Sequence, residues 1–194
     1  MSALVHDIDR ERLAACFRTL SDDGFSDALL SEPRFSERLN DIVKCHYGLS
    51  DMDDDVDEAD RMLMALSRAH LEKLAFRAGA VLHARQFLME VRGPVLSALA
   101  LRFGPSAMDD ARRHVSLAPE MARIDDLDTL EASVSRGGTA CLAAWIASLP
   151  APVQRRIRLK WPNDQSVPKT DDVAIGDRGA VILKSLVSCE SPSE

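Results

Sequence analysis

The chain has 194 residues, of which 46% are hydrophobic, 28% are charged and only 5% are aromatic, and its formal net charge is −7. Length and composition are typical of one globular domain whose core is filled by leucine, alanine, valine and methionine, which favours helices. The negative charge repels nucleic acid, the N-terminus is too polar for a secretory signal and no apolar run reaches the length of a membrane span, so we expect a cytoplasmic protein that binds no nucleic acid and does not insert into the membrane.

The first third of the chain predicts amphipathic helices separated by strong breaks. Apolar residues recur at approximately helical spacing over residues 7–20, and Ser21 to Gly24 interrupts this pattern. Pro33 fits the first turn of the next helix, and Gly48 is a natural stop for it.

Residues 50–58, SDMDDDVDE, form the most acidic stretch of the chain. An EF-hand would need a glycine and a final glutamate that this stretch lacks, and its match to the DDxxD motif of isoprenoid enzymes has no second carboxylate motif. We interpret it as an exposed acidic loop that is a candidate docking site for a basic partner. The candidate residues are Asp53, Asp54, Asp55, Asp57 and Glu58.

The middle of the chain reads as a series of helices. The pattern is helical throughout residues 57–91, where Gly79 marks either a close helix crossing or a break. A short apolar helix follows Gly93-Pro94 and ends at Gly104-Pro105, and another helix is predicted over residues 106–117.

The C-terminal third predicts a buried helix and then weaker structure. The helix covers residues 127–149 and carries Gly137 and Gly138, which mark either a break or a point of close packing. Residues 163–178 are turn-rich and predicted irregular, GAVILKSLVSC is either a helix or a strand, and residues 190–194 are a frayed tail. Together these elements predict an all-α protein of about eight helices in a single compact domain over residues 1–190.

No catalytic, cofactor-binding or metal-binding residue is predicted. The four cysteines are scattered, and neither they nor the five histidines show the spacing of a zinc site. His83 is interpreted as a hydrogen-bonded histidine at a helix–helix contact. The one marked basic cluster consists of Arg155, Arg156, Arg158 and Lys160, and it is the second candidate docking site.

The segment KWPND, which begins at Lys160, resembles the biotin-binding segment of biotin–protein ligases. The glycine- and arginine-rich loop that closes over the adenylate in those enzymes has no counterpart here, so a biotin-handling enzyme is kept only as an alternative. The segment is also typical of a helix end, in which one residue packs against the other helices and the next residues form a turn. Pro162 ends a helix and pushes the preceding residue to an extended conformation. We therefore expect Trp161 to be buried and Lys160 to face solvent.

Two stretches together resemble a known family. KLAFRAGAVLHARQFLMEV begins at Lys73, RGGTACLAAWIASLPAPVQRRIRLKWP begins at Arg136, and their order and spacing are similar to the K-type accessory proteins of bacterial type III secretion systems, the SctK/YscK family. The resemblance spans residues 61–162. The residues that carry it are Arg77, Gly79, Leu82, His83, Gly137, Gly138, Trp161 and Pro162.

This resemblance implies a mainly helical, non-enzymatic adaptor of the sorting platform beneath the injectisome. Such an adaptor links the cytoplasmic domain of the inner-membrane ring protein to the pod protein and so to the ATPase complex. It is cytoplasmic and lies at the inner membrane through the secretion apparatus. A helical interaction module or chaperone with another partner is the remaining alternative.

Overall fold

The computed structural model describes residues 7–17, 32–49, 56–162 and 175–190. Every regular element in these ranges is helical, so the all-α prediction is confirmed there. The described elements are α1 (Arg10–Cys16), α2 (Ser36–Tyr47), α3 (Glu58–Ala65), α4 (Arg68–Leu82), α5 (Ala84–Met89), α6 (Gly93–Arg113), α7 (Leu127–Ser148), α8 (Ala151–Arg158) and α9 (Gly176–Glu190), with short 3-10 helices at Pro33–Phe35 and Val115–Leu117.

The chain divides into two compact units. The first unit is formed by Met1–Arg68 and Leu149–Val167, and the second by Ala69–Ser148 and Pro168–Glu194. No helix in the described ranges combines the length and the apolar character that a bilayer span requires.

Side chains cap the start of two helices of the first unit, and a glycine ends a third. Asp9 and Asp57 cap α1 and α3, and the Asp57 carboxylate accepts a hydrogen bond of 2.8 Å from the backbone N–H of Asp60. Gly48 ends α2 in the left-handed conformation with φ of 59°, as its predicted role as a stop requires. One hydrophobic cluster of this unit is made of Ile8, Leu13, Leu39, Val43 and Leu159.

In the second unit the backbone kinks at a glycine. Gly104 has φ of 78° and ψ of 160° inside α6, a conformation that is essentially restricted to glycine, and Pro105 then begins the second half of the helix. The predicted helix boundary at Gly104-Pro105 is thus confirmed. One hydrophobic cluster of this unit is made of Ala80, Ala84, Phe87, Leu99, Phe103, Ala107, Met108, Ala111, Ala118, Leu130 and Val134.

Three predicted details differ from the structure. The helix predicted over residues 57–91 is broken at Leu66 and Ser67 and again at His83. The C-terminal helix α9 begins at Gly176, inside the range predicted to be irregular, and it resolves GAVILKSLVSC as helix; residues 163–174 and 191–194 lie outside the described ranges. In the stretch predicted to be an exposed loop, the apolar residue Val56 is buried, with 4% exposure, while residues 50–55 lie outside those ranges.

Candidate functional site

The two stretches that carry the family resemblance meet at a close helix crossing in the second unit. A Cβ atom on Gly79 of α4 would lie 2.0 Å from the carbonyl oxygen of Val134 and 2.8 Å from the backbone nitrogen of Gly138. A Cβ atom on Gly138 of α7 would lie 2.0 Å from the carbonyl oxygen of Ala75. Backbone therefore packs directly on backbone, and any larger residue at either glycine would force the helices apart.

The same crossing explains why Gly137 and Gly138 do not break α7. The helix runs without interruption from Leu127 to Ser148, so of the two predicted roles the close-packing one is correct. Helix propensity disfavours glycine by about 1 kcal/mol relative to alanine, and tertiary packing overrides this cost. A Cβ atom on Gly137 would lie 2.9 Å from Cδ1 of Leu82, which ties that family-motif residue to the crossing.

Arg77 projects from α4 to a buried carboxylate on α6. Its Nε atom lies 2.5 Å from Oδ2 of Asp110, whose side chain is only 4% exposed. A charge removed from water in this way is costly unless it is paired, so the role of Arg77 is to neutralise Asp110 inside the second unit.

His83 occupies the break between α4 and α5 and is 3% exposed. Its Nε2 atom is buried and has no hydrogen-bond partner among the described residues, so the prediction of a hydrogen-bonded histidine is wrong at this atom. Burial lowers the pKa of His83, which favours the neutral imidazole. Burial removes the ring from water, and at Nε2 no described protein group takes the place of water.

The KWP segment is built into the first unit. Trp161 is 4% exposed, as predicted, and its carbonyl oxygen accepts a hydrogen bond from Nε of Arg12. The carbonyl oxygen of Arg12 in turn accepts a hydrogen bond of 2.6 Å from the Tyr47 hydroxyl. The neighbouring Leu159 carbonyl accepts one of 2.9 Å from the backbone of Asp9. The residues that follow α8 are thus joined to α1 and its cap, and α1 is joined in turn to α2 through the Tyr47 hydroxyl.

Lys160 is buried, with 6% exposure, and the prediction that it faces solvent is wrong. Its Nζ atom donates hydrogen bonds of 2.9 Å to the carbonyl oxygen of Met64 and 2.6 Å to that of Leu66. Carbonyls at the C-terminus of a helix have no partner within the helix, and the dipole there attracts a cation. The physical reason for the burial is therefore the open end of α3, which the ammonium closes.

The pKa of Lys160 is lowered. Burial lowers it, as does the charge of Arg156, and the charge of Asp7, whose Oδ2 lies 3.8 Å from Nζ, acts in the opposite direction. Because two backbone carbonyls and one carboxylate surround Nζ, this lysine stabilises the first unit. It is therefore not an accessible member of the basic cluster that was predicted to serve in docking.

The other predicted docking residues occupy different positions. Arg155 and Arg158 are exposed on α8 and Arg156 is half-buried, so three arginines of the basic cluster remain accessible in part. Among the acidic candidates, Asp57 and Glu58 are exposed, with Asp57 serving as a helix cap. Asp53, Asp54 and Asp55 lie outside the described residues, as do the two residues that complete KWPND, and Pro162 is half-buried.

An exposed apolar groove in the second unit was not predicted from the sequence. A cavity of about 300 Å³ lies beside α5, and we call it the methionine groove. Its lining consists of Arg85, Gln86, Met89, Glu120, Met121 and Arg123. Met89 and Met121 are 75% and 48% exposed.

Within the described ranges, no group of three or more histidine, cysteine or acidic residues is arranged to hold a metal ion.

Comparisons with known proteins give no further assignment. No protein-family model, no curated protein and no solved structure matches this chain. A function must therefore be inferred from the residues of the chain and from the crossing that they form.

Proposed function

We propose that this chain is a non-enzymatic cytoplasmic adaptor of a type III secretion sorting platform. It would link the cytoplasmic domain of the inner-membrane ring protein to the pod protein, and through the pod protein to the ATPase complex. The proposal is based on the resemblance of residues 61–162 to the K-type accessory proteins.

The observation that supports it is the crossing of α4 and α7. The resemblance comes from two stretches far apart in sequence, and the glycines of both stretches are needed at the same backbone contact, Gly79 against Gly138. Leu82 and Gly137 pack at the same crossing. The motif residues therefore share one structural reason for being present together, as expected for residues that define a fold instead of a catalytic centre.

The biotin-handling alternative loses its main support at Lys160. In this chain the lysine ammonium is hydrogen-bonded to two backbone carbonyls of the first unit, at 2.9 and 2.6 Å. Binding a biotin would require the ammonium to leave these carbonyls buried and unpaired, which costs about 1–3 kcal/mol for each group.

The exposed charges of the first unit suit the adaptor function. Arg155 and Arg158 on α8, and Asp57 and Glu58 at the start of α3, are exposed charges of opposite sign. Such charges raise the rate at which partners meet and help to select the correct partner more than they raise affinity. We propose that these two groups remain the charged docking surfaces, without Lys160.

Two experiments test the adaptor proposal. In the first, the purified chain is mixed separately with the ring protein's cytoplasmic domain and with the pod protein of the same genome, and each mixture is analysed by co-purification. The proposal predicts binding to both proteins, and binding to neither contradicts it. In the second, the gene is deleted and secretion is assayed: loss of secretion is expected, whereas normal secretion favours a chaperone or module with another partner.

A further inference from the structure

We propose that Cys189 is a thiol modification site activated by His114, and that it forms mixed disulfides with small disulfides such as glutathione disulfide. His114 accepts the proton of the thiol. The inference goes beyond the adaptor function, because the chemistry of this pair is the same whichever partner the chain binds.

The two side chains meet at the ends of two helices in the second unit. Sγ of Cys189, in the last turn of α9, lies 3.9 Å from Nε2 of His114, the residue that ends α6. A thiol is a weak hydrogen-bond donor, and Nε2 accepts its proton when the ring proton is on Nδ1. A nucleophile in contact with a base is the geometric signature of an activated nucleophile, and such contacts are often loose before the reactant arrives.

The backbone on both sides of this contact is held by the fold. The N–H of His114 donates a hydrogen bond of 2.9 Å to the carbonyl oxygen of Asp110, and the carbonyl oxygen of His114 accepts one of 2.9 Å from Leu117. On the other side, α9 packs along α7, and Leu186, three residues before Cys189, is fully buried. The two reacting groups are therefore placed beside each other by ordered helix ends, which lowers the entropic cost of the proton transfer.

The position of His114 suits the charge that it acquires. Carbonyl groups in the last turn of a helix lack partners within the helix, and the negative end of the helix dipole there stabilises a cation. Cys189 lies at the negative end of α9 itself, so the positive charge that stabilises its thiolate has to come from the histidine. The thiolate is the form of cysteine that attacks a disulfide.

The exchange proceeds in balanced steps. The thiol proton passes from Sγ of Cys189 to Nε2 of His114, and the thiolate attacks one sulfur of glutathione disulfide. A bond forms between Sγ and that sulfur as the sulfur–sulfur bond of the reactant breaks. The departing glutathione thiolate takes the proton from the imidazolium. Cys189 is oxidised, one half of the disulfide is reduced to glutathione, and no further oxidant is needed.

The other three cysteines each lack accessibility or a base. Cys141 is buried, and burial raises the pKa of its thiol to about 12. Cys16 is half-buried, and burial raises its pKa as well. Cys45 is exposed, but no hydrogen-bond partner of its thiol is found among the described residues. Cys45 is therefore an internal reference for an accessible thiol without a base.

The surroundings of the pair favour modification over two other functions. Zinc usually takes four ligands, and within the described ranges no third histidine, cysteine or acidic side chain joins this pair. A hydrolase needs a pocket for its substrate, and neither residue lines the cavities of about 540 and 300 Å³ in this unit. An exposed thiol outside these cavities suits a small reactant that diffuses to it from solution.

The test measures the modification of each cysteine in the folded chain. The protein is incubated with glutathione disulfide at neutral pH, samples are quenched with acid, and peptide mapping by mass spectrometry gives one rate constant for Cys189 and one for Cys45. His114→Gln removes the base. The matched control is His46→Gln, which removes an exposed histidine next to the reference cysteine. Circular dichroism checks the fold, and Cys141 should stay unmodified in every sample.

The proposal predicts that Cys189 of the wild type reacts at least about tenfold faster than Cys45, because its thiol has a base in contact. His114→Gln should lower the rate constant of Cys189 to about that of Cys45, and His46→Gln should leave the ratio of the two unchanged. If His114→Gln exposes Cys141, His114→Asn takes its place. Equal rate constants in the wild type, or a Cys189 rate constant that does not depend on His114, would overturn the proposal.

Discussion

The Nζ atom of Lys160 lies 2.6 Å from the carbonyl oxygen of Leu66, so a lysine that follows α8 closes the C-terminal end of α3. A second hydrogen bond of 2.9 Å joins the same ammonium to Met64. The two helices are far apart in the sequence, and this contact ties them within the first unit. The segment that looks like a ligase motif is thus part of the folded framework.

Replacing Lys160 by methionine should destabilise the protein by about 2–4 kcal/mol, because two buried carbonyls lose a charged donor. Urea denaturation followed by circular dichroism measures the loss. The control is Arg155→Met on the exposed face of α8, where the free energy of unfolding should change by no more than about 0.5 kcal/mol. Similar losses of unfolding free energy in the two variants would show that the buried lysine contributes no more to stability than an exposed arginine does.

The glycine crossing predicts a graded series of alanine variants. Gly79→Ala and Gly138→Ala should each cost about 3 kcal/mol or more, since the new Cβ meets a backbone carbonyl that cannot move aside without shifting a helix. Gly137→Ala should cost less, because the atom in its way is the end of the Leu82 side chain. Thermal unfolding ranks the three variants.

Gly93→Ala is the control for this series. Gly93 begins α6, and a Cβ atom added there would meet no atom within 4 Å, so alanine should be neutral or stabilising by up to about 1 kcal/mol. If Gly79→Ala were as stable as Gly93→Ala, the close crossing would be contradicted.

The Arg77–Asp110 pair predicts a strong non-additivity. Arg77→Met alone should cost about 3–5 kcal/mol, because it leaves a buried carboxylate without its cation. Adding Asp110→Ala should recover part of this loss, and the double-variant cycle should show a coupling of at least about 1 kcal/mol. Additive losses in urea denaturation would mean that the two side chains do not interact.

Glu90 predicts a dependence of stability on pH. Hydrogen bonds from the Arg92 side chain and backbone N–H, with the nearby charge of Arg123, lower the pKa of Glu90 from 4.5 to about 2. The unfolded chain therefore binds the proton more readily, and the stabilisation is complete above about pH 4.5 and is lost as the pH falls towards 2. The stability difference between wild type and Glu90→Gln should shrink over this range. A difference that stays constant from pH 7 to pH 3 would contradict it.

Local signals in the sequence were sufficient to predict much of the fold. Gly48 stops α2 and Gly104-Pro105 divides α6, since these residues act through their own backbone conformation. The burial of Trp161 also followed from local chemistry. The division into two units had no local signal, because each unit combines segments from both halves of the chain.

Contacts between distant residues could not be predicted in this way. Lys160 is charged and stands in a turn, which indicates exposure, and only the folded chain brings the end of α3 to its ammonium. The exposure of Met89, which is 75%, likewise has no local signal in the sequence. Both features depend on tertiary packing, which periodicity alone does not contain.

The adaptor proposal is tested most directly by a bridging measurement. The ring protein's cytoplasmic domain is immobilised, and retention of the pod protein is measured with and without this chain. The account predicts that the pod protein is retained only when the chain is present, and that all three proteins elute together. Retention of the pod protein at the same level without the chain, or a chain that binds neither protein, would contradict it.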